Sequence, residues 1–74
     1  MTPALKKQLQ ELDLKMLKIK DKIIVLEQAL ADHTIYAQEP RKAADFARLK
    51  AKFESELERE ENHWLELQEG MLNA

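Results

Sequence analysis

The sequence contains no cysteine, only one glycine and only two prolines among its 74 residues. Without cysteine, neither a disulfide nor a thiolate metal site can form. A single glycine excludes the glycine-rich phosphate loops of Walker and Rossmann nucleotide sites. Because glycine and proline most often interrupt regular structure, their scarcity predicts long, uninterrupted elements.

Long apolar stretches are missing as well. The longest is Ile23–Leu26, whereas a helix that spans a bilayer needs roughly 18 apolar residues. The first thirty residues are rich in Lys, Gln and Glu, unlike the apolar segment of a secretory signal. We therefore expect no membrane contact and a cytoplasmic location.

Charged and helix-forming residues make up most of the chain. Charged residues account for 35% of it, and Ala, Glu, Lys, Leu and Gln dominate, a composition typical of long helices and coiled coils. The net charge of −2 argues against strong nonspecific binding of nucleic acid. This charge is unevenly divided, with +2 over residues 1–31 and −4 over residues 32–74.

The first half of the chain carries an apolar seam with helical spacing. Steps of four and three residues alternate without interruption along Leu5, Leu9, Leu12, Met16, Ile19, Ile23, Leu26 and Leu30. This is the heptad pattern of a coiled coil, in which one apolar stripe faces a partner helix. It predicts a helix over about 3–31, with Thr2 as the N-cap and Pro3 at the first helical position.

Residues 32–40 hold the turn signals of the chain. Pro40 lacks an amide proton and disfavours a helical conformation at Glu39, but it fits the first turn of a new helix. We predict a turn over 32–40 in which Thr34 caps a short helical segment. Ile35 and Tyr36 are expected to fold back and close the end of the helix pair.

A second seam with the same spacing predicts a helix over about 41–69. Its members are Ala43, Phe46, Lys50, Phe53, Leu57, Glu60, Trp64, Leu67 and Met71, of which Lys50 and Glu60 are not apolar. A tryptophan at a seam position indicates a core side chain, whereas stacking on nucleic-acid bases would require an exposed ring. Gly70 stands where a helix C-cap is expected.

Two helices of similar length with a short connection predict antiparallel neighbours. The expected fold is therefore all-α, a two-helix antiparallel coiled-coil hairpin that forms a single domain over 1–74. Folding back near residue 36 places Leu26 beside Phe46, Ile19 beside Phe53, Met16 beside Leu57, and Leu9 beside Trp64.

The first helix also carries apolar residues outside its seam, namely Leu14, Leu17, Ile24 and Val25. Two explanations remain open at this point. These residues widen the buried face against the bulky rings of the second helix, or they form a contact surface for another domain or a second copy.

No arrangement of residues predicts catalysis or metal binding. His33 and His63 are thirty residues apart, with no cysteine or further histidine near either, so each is expected at the surface. Ser55 is the only serine and lies among glutamates. Acid pairs such as Glu60 and Glu61 need a desolvating pocket for acid–base chemistry, and a thin hairpin offers none. We expect a domain that is not an enzyme and that holds no metal or cofactor.

The basic residues form the one constellation with two competing interpretations. Lysines at i, i+3 and i+7 share a face of the first helix, and basic residues at i, i+7 and i+11 share a face of the second, with one further lysine at the turn. The seven candidates for nucleic-acid binding are Lys15, Lys18, Lys22, Arg41, Lys42, Arg48 and Lys52. Antiparallel packing brings both sets toward one stripe that suits contacts to phosphate groups. The alternative is an ordinary coiled-coil surface, in which Lys15 and Lys18 pair with Glu54, Glu56 and Glu58, and charge alone favours it.

Two segments resemble a known family. Residues 30–40, Leu-Ala-Asp-His-Thr-Ile-Tyr-Ala-Gln-Glu-Pro, resemble the turn in the C-terminal coiled-coil domain of ABC-F ATPases of the Uup type. Residues 60–67, Glu-Glu-Asn-His-Trp-Leu-Glu-Leu, are similar to the closing signature of the same domain, and the distance between the two segments also matches. The chain departs from the family pattern at His33 and Asp13, where proline is usual. Because the lead-in from the ATPase core is not visible at the start, we expect one domain of a longer protein.

The resemblance implies a role for the basic stripe. Proteins of the Uup type carry two ATP-binding cassettes without membrane spans, are linked to ribosome function and DNA transactions, and have a C-terminal hairpin regarded as a nucleic-acid-binding arm. The implied partners are nucleic acid (DNA, or ribosomal or transfer RNA), bound weakly, and the protein's own ATPase domains. ATP and magnesium would belong to the cassettes of the parent protein. Because of this resemblance, we favour nucleic-acid binding over an ordinary coiled-coil surface as the role of the seven basic residues.

Two other functions are compatible with the pattern. One is a protein–protein interaction or oligomerisation module that uses the off-seam apolar residues to dock on the ATPase core or on a second copy, although we expect a monomer. The other is a tRNA-binding helical arm like that of some synthetases, to which neither family-like segment points.

Overall fold

The protein is a hairpin of two long helices joined by a short third one. The computed structural model describes the backbone of residues 2–72 and the side chains of residues 2–70. Helix α1 spans Pro3–Ala31, α2 spans Thr34–Gln38 and α3 spans Pro40–Leu72. Helices α1 and α3 pack along each other in opposite directions and form a rod with extents of 55 × 15 × 13 Å. The predicted all-α hairpin is confirmed.

Helix α1 begins where the sequence predicts. Thr2 has an extended backbone, and its Oγ1 accepts a hydrogen bond from the amide of Leu5 at 3.2 Å. The carbonyl of Thr2 accepts another from the amide of Lys6 at 3.1 Å. Pro3 occupies the first helical position, where its missing N–H leaves no helix bond unmade. Thr2 is therefore the N-cap, as predicted.

The core lies along the predicted seam of α1. Six of its residues are at most 9% exposed, namely Leu9, Leu12, Met16, Ile19, Ile23 and Leu26. The two end members, Leu5 and Leu30, are half-buried because fewer neighbours cover the ends of the rod. Burying a side chain of this size stabilises the fold by about 1.5–3 kcal/mol, so these six residues dominate the stability of the hairpin.

The seam of α3 is less deeply covered than that of α1. Ala43 is 3% exposed, and the next seven predicted members, from Phe46 to Leu67, are all half-buried. Trp64 is among them, so its ring lies at the edge of the core and lines a surface groove with Met16. The last predicted member, Met71, has a side chain outside the described residues.

The register of the two helices differs from the predicted one. The Nζ atom of Lys22 lies over the Phe53 ring, and the Nζ atom of Lys15 contacts Glu60. In an antiparallel hairpin the chain folds back midway between residues that face each other. The midpoint of both pairs lies between residues 37 and 38, whereas the sequence predicted folding back near residue 36. Helix α2 packs against α3 next to this point.

The turn is held by Asp32, and the prediction that Thr34 is the cap is wrong. One carboxylate oxygen of Asp32 accepts hydrogen bonds from the Thr34 amide at 3.0 Å and the Thr34 hydroxyl at 2.8 Å. The Asp32 carbonyl also accepts a hydrogen bond from the Ile35 amide at 3.2 Å. A short acceptor placed just before a helix satisfies amides that have no partner within the helix. Ile35 is half-buried, whereas Tyr36 is 52% exposed and does not close the hairpin.

Helix α3 begins one residue earlier and extends further than predicted. The amide of Glu39 donates to the carbonyl of Ile35 at 2.9 Å, and the carbonyl of Glu39 accepts from the amide of Ala43 at 3.0 Å. This single non-helical residue therefore closes α2 and opens α3, with Pro40 as the first helical residue. Gly70 is helical without a positive φ, so its predicted role as a C-cap is wrong.

Candidate functional site

The hairpin has two long sides that differ in charge. In a heptad, the positions that flank the seam lie on opposite sides of the helix pair. Lys15 and Lys22 precede the seam residues Met16 and Ile23, which places them on one side. The residues that follow a seam position, such as Glu27 after Leu26, point to the other side.

The second of these sides is predominantly acidic. Two surface grooves share Lys20 and therefore form one continuous side. The acidic residues that line them are Asp13, Glu27, Glu54 and Glu61, and Lys20 is the single cation beside them. We call this surface, defined by those four carboxylates, the acidic side.

The opposite surface carries the exposed lysines of the turn-side half. Lys18 and Lys52 lie one position further from the seam than Lys15, Lys22 and Lys42, on the same side of their helices. We call the surface defined by these five lysines the basic side.

Two of the lysines are positioned by aromatic rings. The Nζ atom of Lys22 lies 5.2 Å from the centre of the Phe53 ring, and that of Lys42 lies 5.8 Å from the centre of the Phe46 ring. A cation over a ring face is attracted by the ring's quadrupole, while the apolar stem of the lysine covers the half-buried ring. Both ammonium groups are thereby held at the surface.

Three of the seven predicted binding residues form ion pairs. Lys15 Nζ lies 2.9 Å from a carboxylate oxygen of Glu60, Lys42 Nζ lies 3.9 Å from Glu39, and Arg48 contacts Asp45. The predicted pairing of Lys15 with Glu54, Glu56 or Glu58 is wrong. The seam residue Glu60 takes this role because its side chain is only 17% exposed and requires a cation next to it.

The other four candidates have no acidic oxygen within 4.0 Å among residues 2–70. They are Lys18, Lys22, Arg41 and Lys52, and all four are exposed. Their charges are therefore not neutralised by the chain itself. A positive charge at the surface without a fixed counterion is the feature that a polyanion exploits.

The predicted single stripe is only partly assembled. The five lysines lie together on the basic side, but Arg41 and Arg48 occupy the position of α3 that faces away from α1. Sequence reasoning also missed Arg59, which is exposed and follows Lys52 by seven residues. The same i, i+7 spacing that identified the lysines would have found it.

The off-seam apolar residues of α1 do not join the core. Leu14, Leu17, Ile24 and Val25 are 50–62% exposed. The explanation that they widen the buried face is therefore wrong. Leu14 lies on the back of α1, Leu17 and Ile24 share the heptad position that borders the acidic side, and Val25 borders the basic side.

Neither a metal-binding cluster nor a membrane-spanning helix is found among the described residues. Over that part of the chain, no group of three or more His, Cys, Asp and Glu side chains is arranged to hold a metal ion. None of the helices, over the same residues, has the length and apolarity needed to cross a membrane.

Comparison with known protein families gives a match over most of the chain. A family model described as the ABC transporter C-terminal domain matches residues 1–69. Searches of curated proteins and of solved structures gave no significant match.

Proposed function

Because the chain belongs to the ABC transporter C-terminal domain family, we propose that it is a non-catalytic arm that binds the phosphate backbone of nucleic acid. The parent protein in this proposal is a cytoplasmic ABC-F ATPase of the Uup type, whose cassettes hold ATP and magnesium. The ligand is DNA or a structured RNA, such as ribosomal or transfer RNA.

The observation that carries the proposal is the set of unneutralised cations on the basic side. Lys18, Lys22 and Lys52 are exposed and lie outside ion-pair distance of any described carboxylate. Lys22 is also held in place over the Phe53 ring, which reduces the side-chain entropy lost when a phosphate is bound. A rod 55 Å long presents these charges well beyond the body to which the arm is attached.

Contacts of this kind give weak and nonspecific binding. Each lysine that neutralises a phosphate releases counterions, so affinity falls as salt rises, with a logarithmic slope of about −0.9 per contact on duplex DNA. Three or four contacts therefore predict a slope of about −3 to −4. Because phosphates carry no sequence information, little preference among base sequences is expected.

The test is an NMR titration of the chain with a short duplex DNA and with a structured RNA, at low and then moderate salt. Salt-sensitive shifts around Lys18, Lys22 and Lys52 are expected, and the ligand that binds more tightly identifies the target. No shifts even at low salt would overturn the proposal.

A matched pair of variants separates the basic side from overall charge. Lys18→Glu/Lys52→Glu reverses two unpaired cations, and Lys6→Glu/Lys7→Glu makes the same change in net charge at the open end of the rod. The first variant is expected to lose about tenfold or more in affinity, because two phosphate contacts become repulsive. The second should lose much less, since its charges lie away from the basic side.

The exposed apolar residues on the outer face of α1 favour a second function, docking on the parent ATPase domains. Leu14 is 59% and Leu17 is 56% exposed, and adjacent exposed apolar side chains are typical of protein contact surfaces. If this face docks, Leu17→Glu will abolish binding of the separate chain to its ATPase domains in a pull-down. Lys18→Glu/Lys52→Glu will leave that binding unchanged.

A further inference from the structure

We propose that the hairpin associates with copies of itself, the basic side of one copy docking on the acidic side of the next. The proposal concerns a second activity of the same surfaces and does not depend on nucleic-acid binding. It rests on the complementarity of the two sides in charge and in exposed apolar residues.

Charge complementarity is the first argument. The acidic side carries Asp13, Glu27, Glu54 and Glu61 around the single cation Lys20. The basic side carries three lysines outside ion-pair distance of the described carboxylates, namely Lys18, Lys22 and Lys52. Placing the basic side against the acidic side brings opposite charges together, whereas placing the acidic side against its own copy would bring its four carboxylates together.

Each side also has an apolar groove with exposed side chains. On the basic side, Val25 is 62% and Leu49 is 39% exposed, and both line a groove floored by Leu26 and Phe53. On the acidic side, Ile24 is 50% and Leu65 is 51% exposed, and each lines one of the two grooves there. Docking two sides removes apolar surface from water as it pairs the charges.

The geometry determines the kind of assembly. Because the two sides lie on opposite faces of the rod, the contact joins two different surfaces, and every added copy leaves one side of each kind free. The association is therefore open-ended. Since it is driven largely by exposed charges, it is weak and disappears with added salt.

Sedimentation analysis over a range of concentrations tests the proposal. At about 0.02 M salt the average mass is expected to rise above the 8.7 kDa of one chain as concentration increases. At about 0.3 M salt it should return to one chain, because screening shortens the reach of the charges. A mass that stays at one chain under all conditions overturns the proposal.

Two charge-reversal variants identify the surfaces. Lys18→Glu/Lys52→Glu removes the basic side, and Glu54→Lys/Glu61→Lys removes the acidic side. Each variant alone should remain a single chain, with unchanged helix content by circular dichroism. A 1:1 mixture should associate again, because the native acidic side of the first variant faces the native basic side of the second, and the two reversed sides also carry opposite charges.

The control variants change net charge elsewhere. Lys6→Glu/Lys7→Glu and Glu66→Lys/Glu69→Lys alter exposed residues near the open end. Because Lys6 shares the heptad position of Asp13 and Glu66 that of Lys52, neither variant weakens its side, and both should associate at least as strongly as the wild type. Association that persists in either side variant alone, or a mixture that stays monomeric, overturns the assignment of the two sides.

Discussion

At the scale of single residues, burial separates the apolar side chains of α1 into two groups. Ile19 is 3% exposed and is the most deeply covered large side chain of the described residues, whereas Leu17, two positions earlier, is 56% exposed. Apolar side chains within one helical turn therefore serve two different purposes. Residues of the first group hold the hairpin together, and those of the second remain available to a partner.

Replacing Ile19 by alanine tests this division. Removal of a fully buried aliphatic side chain costs about 2–4 kcal/mol of unfolding free energy, because it loses transfer energy and leaves a cavity. Leu17→Ala is the control and should change that free energy by about 0.5 kcal/mol or less. Urea unfolding followed by circular dichroism measures both. Equal losses for the two variants would show that the seam does not form the core.

The pairing of Lys15 with Glu60 shows why a residue's partner is harder to predict than its position. Glu60 was recognised as a polar member of the second seam, but its partner depended on a register that the sequence did not determine. In the packed hairpin, a carboxylate oxygen of Glu60 lies 2.9 Å from the Nζ atom of Lys15. Lys50, the other polar member of the seam, is half-buried, and nothing in the structure explains why a lysine occupies that position.

At the scale of elements, the short helix α2 depends on one carboxylate. Hydrogen bonds from the side chain and amide of Thr34 stabilise the ionised form of Asp32 and lower its pKa below the ordinary value of 3.8, and the charge of His33 adds to the effect. A lowered pKa means that the contribution of Asp32 to stability is present above about pH 3.8. It is lost as the pH falls through the lower value of the folded state.

Thr34→Ala is expected to raise the pKa of Asp32 toward its ordinary value. The variant removes the hydroxyl bond, which is the largest cause of the lowered pKa, and keeps the amide bond. Titration of the Asp32 carboxyl group by NMR measures the change, with Asp45 of α3 as an internal reference. An unchanged pKa for Asp32 in the variant would show that the hydroxyl bond does not form in solution.

Gly70 offers a second test at this scale, because the sequence and the structure give opposite predictions. A C-cap glycine with positive φ would be destabilised by alanine, but Gly70 is helical, and an added Cβ would meet nothing within 4 Å. Gly70→Ala should therefore stabilise the protein by about 0.5–1 kcal/mol. Thermal unfolding measures it, and a lower melting temperature would restore the C-cap interpretation.

Features that depend on interactions between nearby residues could be predicted from the sequence, whereas features that depend on the packing of distant residues could not. The bounds of α1 and both seams depend on local spacing and capping, so Thr2 and the residues from Leu9 to Leu26 were identified correctly. The cap at Asp32 and the end of α3 were not, because several residues competed for each role. The sequence alone could not show which basic residues share a side, because this depends on how the two helices pack. In the hairpin, Arg48 lies away from the side that carries Lys22.

At the scale of the whole molecule, charge is segregated across the rod rather than along it. Lys15 of α1 pairs with Glu60 of α3, but Lys18 and Lys22 lie on the basic side, whereas Glu54 and Glu61 lie on the acidic side. Net charge therefore says little about what this chain binds, since −2 is the difference between a basic and an acidic surface. The basic surface is the one that a polyanion is proposed to bind, and it is also the proposed contact for the acidic side of another copy.

Because both partners use the basic side, self-association should compete with nucleic acid. A partner that occupies the binding surface lowers the apparent affinity for the other ligand by mass action. Glu54→Gln/Glu61→Gln weakens self-association without adding lysines, so it should bind a labelled duplex more tightly than Glu66→Gln/Glu69→Gln, which has the same net charge but an intact acidic side. Fluorescence anisotropy at low salt measures both affinities. Equal affinities, at chain concentrations where the control variant is associated, would mean that the two partners do not share the basic side.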